Sequence, residues 1–393
     1  MNILSIETSC DETAVSVVEA LGDFPNAKYE ILGNALFSQV DIHREYGGVF
    51  PTMAKREHAV TLVPMLEKAL QEAKLPEAPH AELFPEQKEK IHELLYREPG
   101  LADQLLTFYE KYNTPAIGLI AVTAGPGLEP ALWVGVNFAK ALSLIWNVPV
   151  VAVNHMEGHV LVSVFDGKHL AKLEFPALSL LISGGHTELI RMDNWQKYER
   201  VGQTRDDAVG EAFDKVARLL GLPYPGGPEI SRLASEARKT GLPEFAKLPR
   251  PMINSDDLDF SFSGLKTAVR YAVAGKKLSD DEAKAVARDF EDAAAEVLLA
   301  KTRKAVDQLA VKSLILGGGV TANRHIRQTF ENFFKTEYPE LRLYLPDPKL
   351  STDNSIMIAL AGHARISKAM NPDEAILKIK ASGNRSLTGE PYK

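Results

Sequence analysis

Ile3-Leu4-Ser5-Ile6-Glu7-Thr8-Ser9, with the return run Thr13-Ala14-Val15-Ser16-Val17-Val18, reads as a buried strand, a polar turn and an antiparallel strand. The same layout recurs at Leu180-Leu181-Ile182-Ser183-Gly184-Gly185-His186, where residues 186–191 form the return strand. A second pair of echoes follows. Val122-Thr123-Ala124-Gly125-Pro126-Gly127 is a strand ending in a small-residue turn, and Leu314-Ile315-Leu316-Gly317-Gly318-Gly319-Val320 repeats it. Two matched pairs in the same order predict an α/β chain built by duplicating one hairpin-led unit. Such a duplication would set two small-residue loops face to face across a cleft, where a nucleotide could sit.

Working outward, 393 residues suffice for about two domains. A composition of 45% hydrophobic and 25% charged residues excludes disorder, collagen and coiled coil. The 45 basic and 52 acidic side chains leave a net charge of −7, so nothing global advertises a polyanion as partner. That charge is unevenly spread: residues 232–277 carry nine basic and five acidic groups, which leaves room for a phosphate backbone on one face. Cys10 is the single cysteine, which rules out an intramolecular disulfide or a thiolate-rich zinc site, so any metal must be held by His and carboxylate. The first residues lack a basic region and cleavage site, and no run approaches the roughly 18 apolar residues of a membrane span. A cytoplasmic location with no membrane partner is the expectation.

A third strand is predicted over 31–37 and a helix over 55–73, with Val60, Val63, Leu66 and Leu70 on its buried face. Residues 75–115 then read as a helical hairpin. Its apolar stripes are Ile91, Leu94 and Leu95, then Leu101, Leu105, Phe108 and Tyr112. With four basic and eight acidic residues it is either a solvated structural insertion or a partner-docking surface.

Several constellations carry chemistry. His155-Met156-Glu157-Gly158-His159 places two imidazoles at i and i+4 on one helical face, a workable pair of metal ligands or two ordinary surface histidines. A zinc protease needs its general base directly after the first histidine, where Met156 stands. Asp353, just before an apolar helix, offers a third ligand or a helix cap. Two His and one carboxylate would leave positions open for substrate oxygens. The Ser183-Gly184-Gly185-His186 turn and the triple glycine before Asn323 present uncovered backbone to a phosphate or a planar ligand, although a plain hairpin turn is the alternative for the first and an N-cap for Asn323. Asp206, Asp207, Glu211 and Asp214 are expected along one helix leading to Pro225-Gly226-Gly227-Pro228, as dipole complement or as a grip on a ligand hydroxyl. Phe260 and Phe262 read as core.

Taken with Asp11-Glu12-Thr13, Gly210-Glu211-Ala212-Phe213-Asp214-Lys215, Ser261-Phe262-Ser263-Gly264-Leu265-Lys266-Thr267, Gly318-Gly319-Val320-Thr321-Ala322-Asn323 and Thr352-Asp353-Asn354, these motifs closely resemble, in register, the tRNA N6-adenosine threonylcarbamoyltransferase (TsaD) family. The resemblance implies an actin-like, sugar-kinase-like fold of two duplicated lobes with the active site in the interlobe cleft. The expected N-terminal lobe is 1–149 plus 353–393, with the helical insertion at 75–115, and the C-terminal lobe is 150–352. It implies transfer of a threonylcarbamoyl group from threonylcarbamoyl-adenylate to N6 of adenine 37 in tRNAs reading codons that begin with A. His155, His159 and Asp353 match the family's ligands for one divalent metal ion per subunit, iron with zinc as the alternative. Ile182, Ser183, Gly184, Gly185 and His186 match its substrate loop, Asp214, Gly227 and Asn323 match further adenylate-binding positions, and Asp11 is a candidate for orienting or deprotonating the adenine amine. The partners implied are tRNA, a TsaB-like inactive paralogue and a TsaE-like ATPase. Two departures stand out: the stretch 75–115 is longer than the family's usual link, and Ser231 stands where many relatives carry an acidic substrate contact.

Overall fold

The structure, a computed structural model, describes residues 1–80 and 82–389. Its chain divides into two compact units: Met1–Ile42, Val49–Ala171 and the segment from Asp353 onward form the first, and His43–Gly48 with Lys172–Thr352 form the second.

In the first unit the β-branched opening does what its pattern predicts. Strands β1 (Asn2–Glu7) and β2 (Glu12–Leu21) pair antiparallel, and β3 (Lys28–Ser38) continues the meander. A short helix α1 (Val40–Arg44) precedes α2 (Pro51–Ala73), which starts on a proline suited to a first helical turn. Its buried face is Ala59, Leu62, Val63, Leu66 and Ala69, while Val60 is exposed, so the apolar stripe is rotated by about a residue from the expected one. The expected insertion follows as a two-residue strand β4 (Glu77–Ala78), helices α3 (Pro85–Leu94) and α4 (Leu101–Lys111), and β5 (Thr114–Pro115), which closes back on β4. Ile91, Leu95, Leu101, Leu105 and Phe108 are buried in the core that also holds Leu62, Leu66 and Leu142. Burial of each such side chain contributes about 1.5–3 kcal/mol. The insertion is therefore part of the core on its inner side.

Strand β6 (Leu119–Gly125) pairs parallel with β1, helix α5 (Glu129–Trp146) crosses over, and β7 (Val150–Asn154) pairs parallel with β6 before α6 (His155–Ser163). The lobe boundary expected at residue 149 is thus corrected: β7 hydrogen-bonds into the first sheet, and the unit runs on through Ala171.

The second unit repeats the plan with β8 (Ala177–Ile182), β9 (Thr187–Asn194), β10 (Lys197–Gln203), helices α7 (Val209–Leu219), α8 (Gly226–Thr240), α9 (Ser263–Val273) and α10 (Asp280–Leu309), β11 (Ser313–Gly317), α11 (Arg324–Glu337) and β12 (Arg342–Tyr344). The chain then re-enters the first unit with α12 (Ser355–Ala364) and α13 (Pro372–Lys378). The first sheet has the order β3-β2-β1-β6-β7 and the second β10-β9-β8-β11-β12. In both, three antiparallel strands are followed by two parallel additions. The echoes in the sequence are therefore copies of one topology.

Candidate active site

In open α/β sheets, ligands gather at the carboxyl ends of parallel strands. In the first unit those ends are Glu7, Gly125 and Asn154. Asn154 caps α6 by accepting the N–H groups of Met156 and Glu157, so His155 emerges where β7 ends, and His159 lies one turn on. Asn354 caps α12 through Met357, which releases the preceding Asp353 from capping duty. The Nε2 atoms of His155 and His159 lie 3.3 and 3.1 Å from the same oxygen, Oδ1 of Asp353. One donor atom from each residue fits within 4.8 Å of the others.

The surroundings suit a cation. Glu7 Oε2 stands 3.1 Å from His155 Nδ1 and accepts the Thr123 hydroxyl at 2.6 Å, while its Oε1 accepts the Ser9 N–H at 2.5 Å. A carboxylate behind a ligand imidazole fixes the ring's tautomer and direction. Burial opposes a charge on His155, but Asp353 and Glu7 outweigh it and hold its pKa well above the ordinary value. Burial and the neighbouring His155 keep His159 low, the neutral form that a metal requires. Asp353 is pulled below the carboxylate range by both histidines against the effect of burial. Glu12 is pushed well up by burial and by the carboxylates of Asp11, Asp353 and Glu7. That crowding of negative charge is what a divalent ion would relieve. The donor set thus fits a metal of nitrogen and oxygen preference.

Cys10 stands among the same carboxylates. Burial first, then Asp11, Asp353 and Glu12, hold its thiol well above the ordinary value, so it is protonated and a poor nucleophile. Glu157 is buried and locked to Arg365, with Nε 2.9 Å from Oε1 and Nη2 2.7 Å from Oε1. With Met156 in the core, the helix offers no peptidase base.

In the second unit, the expected substrate loop spans the end of β8 and the turn into β9. Ser183 N–H donates to the His186 carbonyl at 2.8 Å, and His186 N–H to Ser183 Oγ at 3.1 Å. Added Cβ atoms at Gly184 and Gly185 would meet nothing within 4 Å, so their backbone is open to a ligand. Two other glycines press on this loop from behind. Gly318, at φ +92°, follows β11, and a Cβ there would lie 2.4 Å from the Ile182 carbonyl. One at Gly210, in α7, would lie 2.6 Å from the Ser183 carbonyl. Asp214 Oδ1 accepts the N–H of Gly226 at 2.7 Å, tying α7 to the start of α8, with Gly227 open beside it. Asn323 caps α11 through Ile326 and donates to the buried Glu291 at 2.6 Å, while Glu291 also binds Arg238.

Some expectations moved. Asp206 and Asp207 precede α7 rather than lying on it. Asp206 accepts from Phe262 N–H, Ser263 N–H and both serine hydroxyls, anchoring the start of α9. Phe260 and Phe262 are core, stacked on one another. Sequence reasoning assigned no role to Glu7, although its place at the end of a central strand was visible.

Two sheets of one topology, the first with a His-His-Asp cluster of metal-donor geometry beside it and the second ending in an open glycine turn, define a duplicated α/β protein. The family model for tRNA N6-adenosine threonylcarbamoyltransferase (TsaD) matches residues 30–79 and 99–360, breaking off inside the insertion. The chain belongs to that family. It is similar to the tRNA N6-adenosine threonylcarbamoyltransferase of Geotalea daltonii, 42% identical over 92% of this chain and 91% of the relative. The enzyme of the same name from Persephonella marina is 39% identical over 94% and 91%. The solved structure of HypF from T. kodakarensis shares the fold alone, with a TM-score of 0.50 and 12% identity over 96% of this chain and 50% of that one.

Proposed function

We propose that this protein transfers the threonylcarbamoyl group of threonylcarbamoyl-adenylate to N6 of adenine 37 in tRNAs reading codons that begin with A, releasing AMP. The observation that carries the reading is the convergence of His155, His159 and Asp353 on one point in a chain of this family. The donor set holds one divalent ion, iron with zinc as the alternative, and when bound that ion supplies Lewis acidity to substrate oxygens.

This chain's own residues do the rest. In the loop Ile182, Ser183, Gly184, Gly185 and His186, the two glycines offer their main-chain N–H groups to the adenylate phosphate and the other three hold the turn's shape, with Asp214, Gly227 and Asn323 as further contacts. Asp11 faces the reacting group, where it orients the weak N6 amine and takes its proton as the new bond forms. The acyl group arrives already activated, so no covalent enzyme intermediate is needed, in keeping with the protonated Cys10 thiol. The motifs imply an actin-like, sugar-kinase-like fold for the chain. A TsaB-like paralogue and a TsaE-like ATPase are the expected partners, in the cytoplasm. Among the described residues no helix is long and apolar enough to cross a membrane.

Reconstitution with tRNA, threonine, bicarbonate, ATP and the partner proteins, read by nucleoside mass spectrometry, tests the reading. Threonylcarbamoyladenosine should form with the wild type and vanish with His155→Ala while that variant stays folded. Wild-type yield from His155→Ala would remove the metal role, and no product from the wild type would remove the assignment.

A further inference from the structure

His58, in the second turn of α2, is fully buried yet takes no part in the chemistry above. Its Nε2 lies 3.1 Å from the carbonyl oxygen of Cys10. Its Nδ1 lies 2.7 Å from Thr13 Oγ1 and 3.3 Å from Gln39 Nε2. A carbonyl can only accept, so Nε2 carries a hydrogen and donates it to Cys10. Gln39 adds a second hold, since its main-chain N–H donates to the Asp11 carbonyl at 2.9 Å. The carbonyls of two successive residues, Cys10 and Asp11, are thus gripped from α2 and from the end of β3.

The grip falls where regular structure is missing. Residues 8–11 belong to neither β1 nor β2, so no ladder sets the Cys10–Asp11 peptide plane. Rotation of that plane swings the Asp11 side chain, and a displacement of about 1 Å at a reacting group can cost roughly 100-fold in rate. We propose that His58 is a positioning residue for the transfer reaction, fixing the Cys10–Asp11 peptide and thereby aiming the Asp11 carboxylate. The inference rests on the reading that Asp11 acts on the adenine amine.

Four substitutions in the full chain, assayed with the partner proteins, tRNA and threonylcarbamoyl-adenylate, test it. His58→Gln keeps an N–H that reaches Cys10. His58→Asn keeps a group near Thr13 but falls short of Cys10, and so guards against misfolding, which a thermal melt checks. Asp11→Asn removes the aimed group, and the fourth chain combines Asp11→Asn with His58→Asn. His58→Asn should lower kcat by about 10- to 100-fold with KM for the adenylate changed less than about twofold, and His58→Gln should recover most of the loss. Added to Asp11→Asn, His58→Asn should cost less than about threefold more, since both act through one carboxylate. A fully multiplicative loss in the double variant, wild-type kcat in His58→Asn, or a His58→Gln as impaired as His58→Asn would overturn the positioning role while leaving Asp11 in place. Wild-type kcat in Asp11→Asn would instead overturn the assignment of Asp11, and the aiming role with it.

Discussion

Glu7 Oε2 stands 3.1 Å from His155 Nδ1, although the two residues lie at the ends of different strands and 148 positions apart. The contact turns the opposite ring nitrogen, Nε2, toward Asp353. Glu7→Gln should therefore weaken metal binding by about 10- to 100-fold without unfolding the protein. Zinc titration of the metal-free protein against a competing chelator, with a thermal melt as control, measures both.

The buried Glu157 and the half-buried Arg365 make an ion pair next to the donor set but outside it. Glu157→Ala removes the carboxylate that faces the half-buried Arg365 guanidinium and should cost about 1–3 kcal/mol in urea denaturation. Metal content of the protein that remains folded should be unchanged. A loss of metal with no loss of stability would put Glu157 among the ligands.

The glycines of the second unit separate ligand contact from packing. Gly184→Ala meets no heavy atom within 4 Å and should leave the melting temperature unchanged. If the loop holds the adenylate as proposed, its methyl would intrude on that ligand and raise KM by about tenfold, a loss near 1.4 kcal/mol. Gly210→Ala drives a methyl to 2.6 Å from the Ser183 carbonyl and should destabilise by about 1–3 kcal/mol as well. Calorimetry and steady-state kinetics on the pair distinguish the two effects.

Glu98, 1% exposed in the insertion, is pushed up by burial, with Lys55, Asn137 and Arg97 only partly offsetting it. The folded protein holds its proton more tightly than the unfolded chain, so its stabilising contribution is complete below the ordinary glutamate range near about 4. It is lost as the pH rises through the folded value. Glu98→Gln should thus melt close to wild type in acid and gain about 1–3 kcal/mol over it at pH 8. Equal melting points across that range would show that Glu98 titrates as if exposed.

Local pattern and spacing carried much of this fold. Alternation in β1 and β2, the glycine turn after β8, and the i, i+4 histidines of α6 are each specified within a dozen residues, so they were readable. Partners chosen across the fold were not. Nothing near His58 in sequence announces the Cys10 carbonyl 48 positions away, and nothing near Asp206 announces the start of α9. The lobe boundary failed for the same reason: β7 looks alike whichever sheet receives it, and only its pairing with β6 decides. Val60 was misassigned because α2 buries two adjacent rows, and its stripe is centred on Leu62 and Leu66 rather than on valines.

The short ladder that pairs Glu77 with Pro115 and Ala78 with Thr114 brings both ends of the added helices side by side, about 5 Å apart. Whatever length of chain is spliced between such ends, the strand beyond them receives its backbone at the same place and heading. Lineages can then lengthen or trim this hairpin without re-registering β6. That makes it a graft point, at which the enzyme could change its outer face while its chemistry stays untouched.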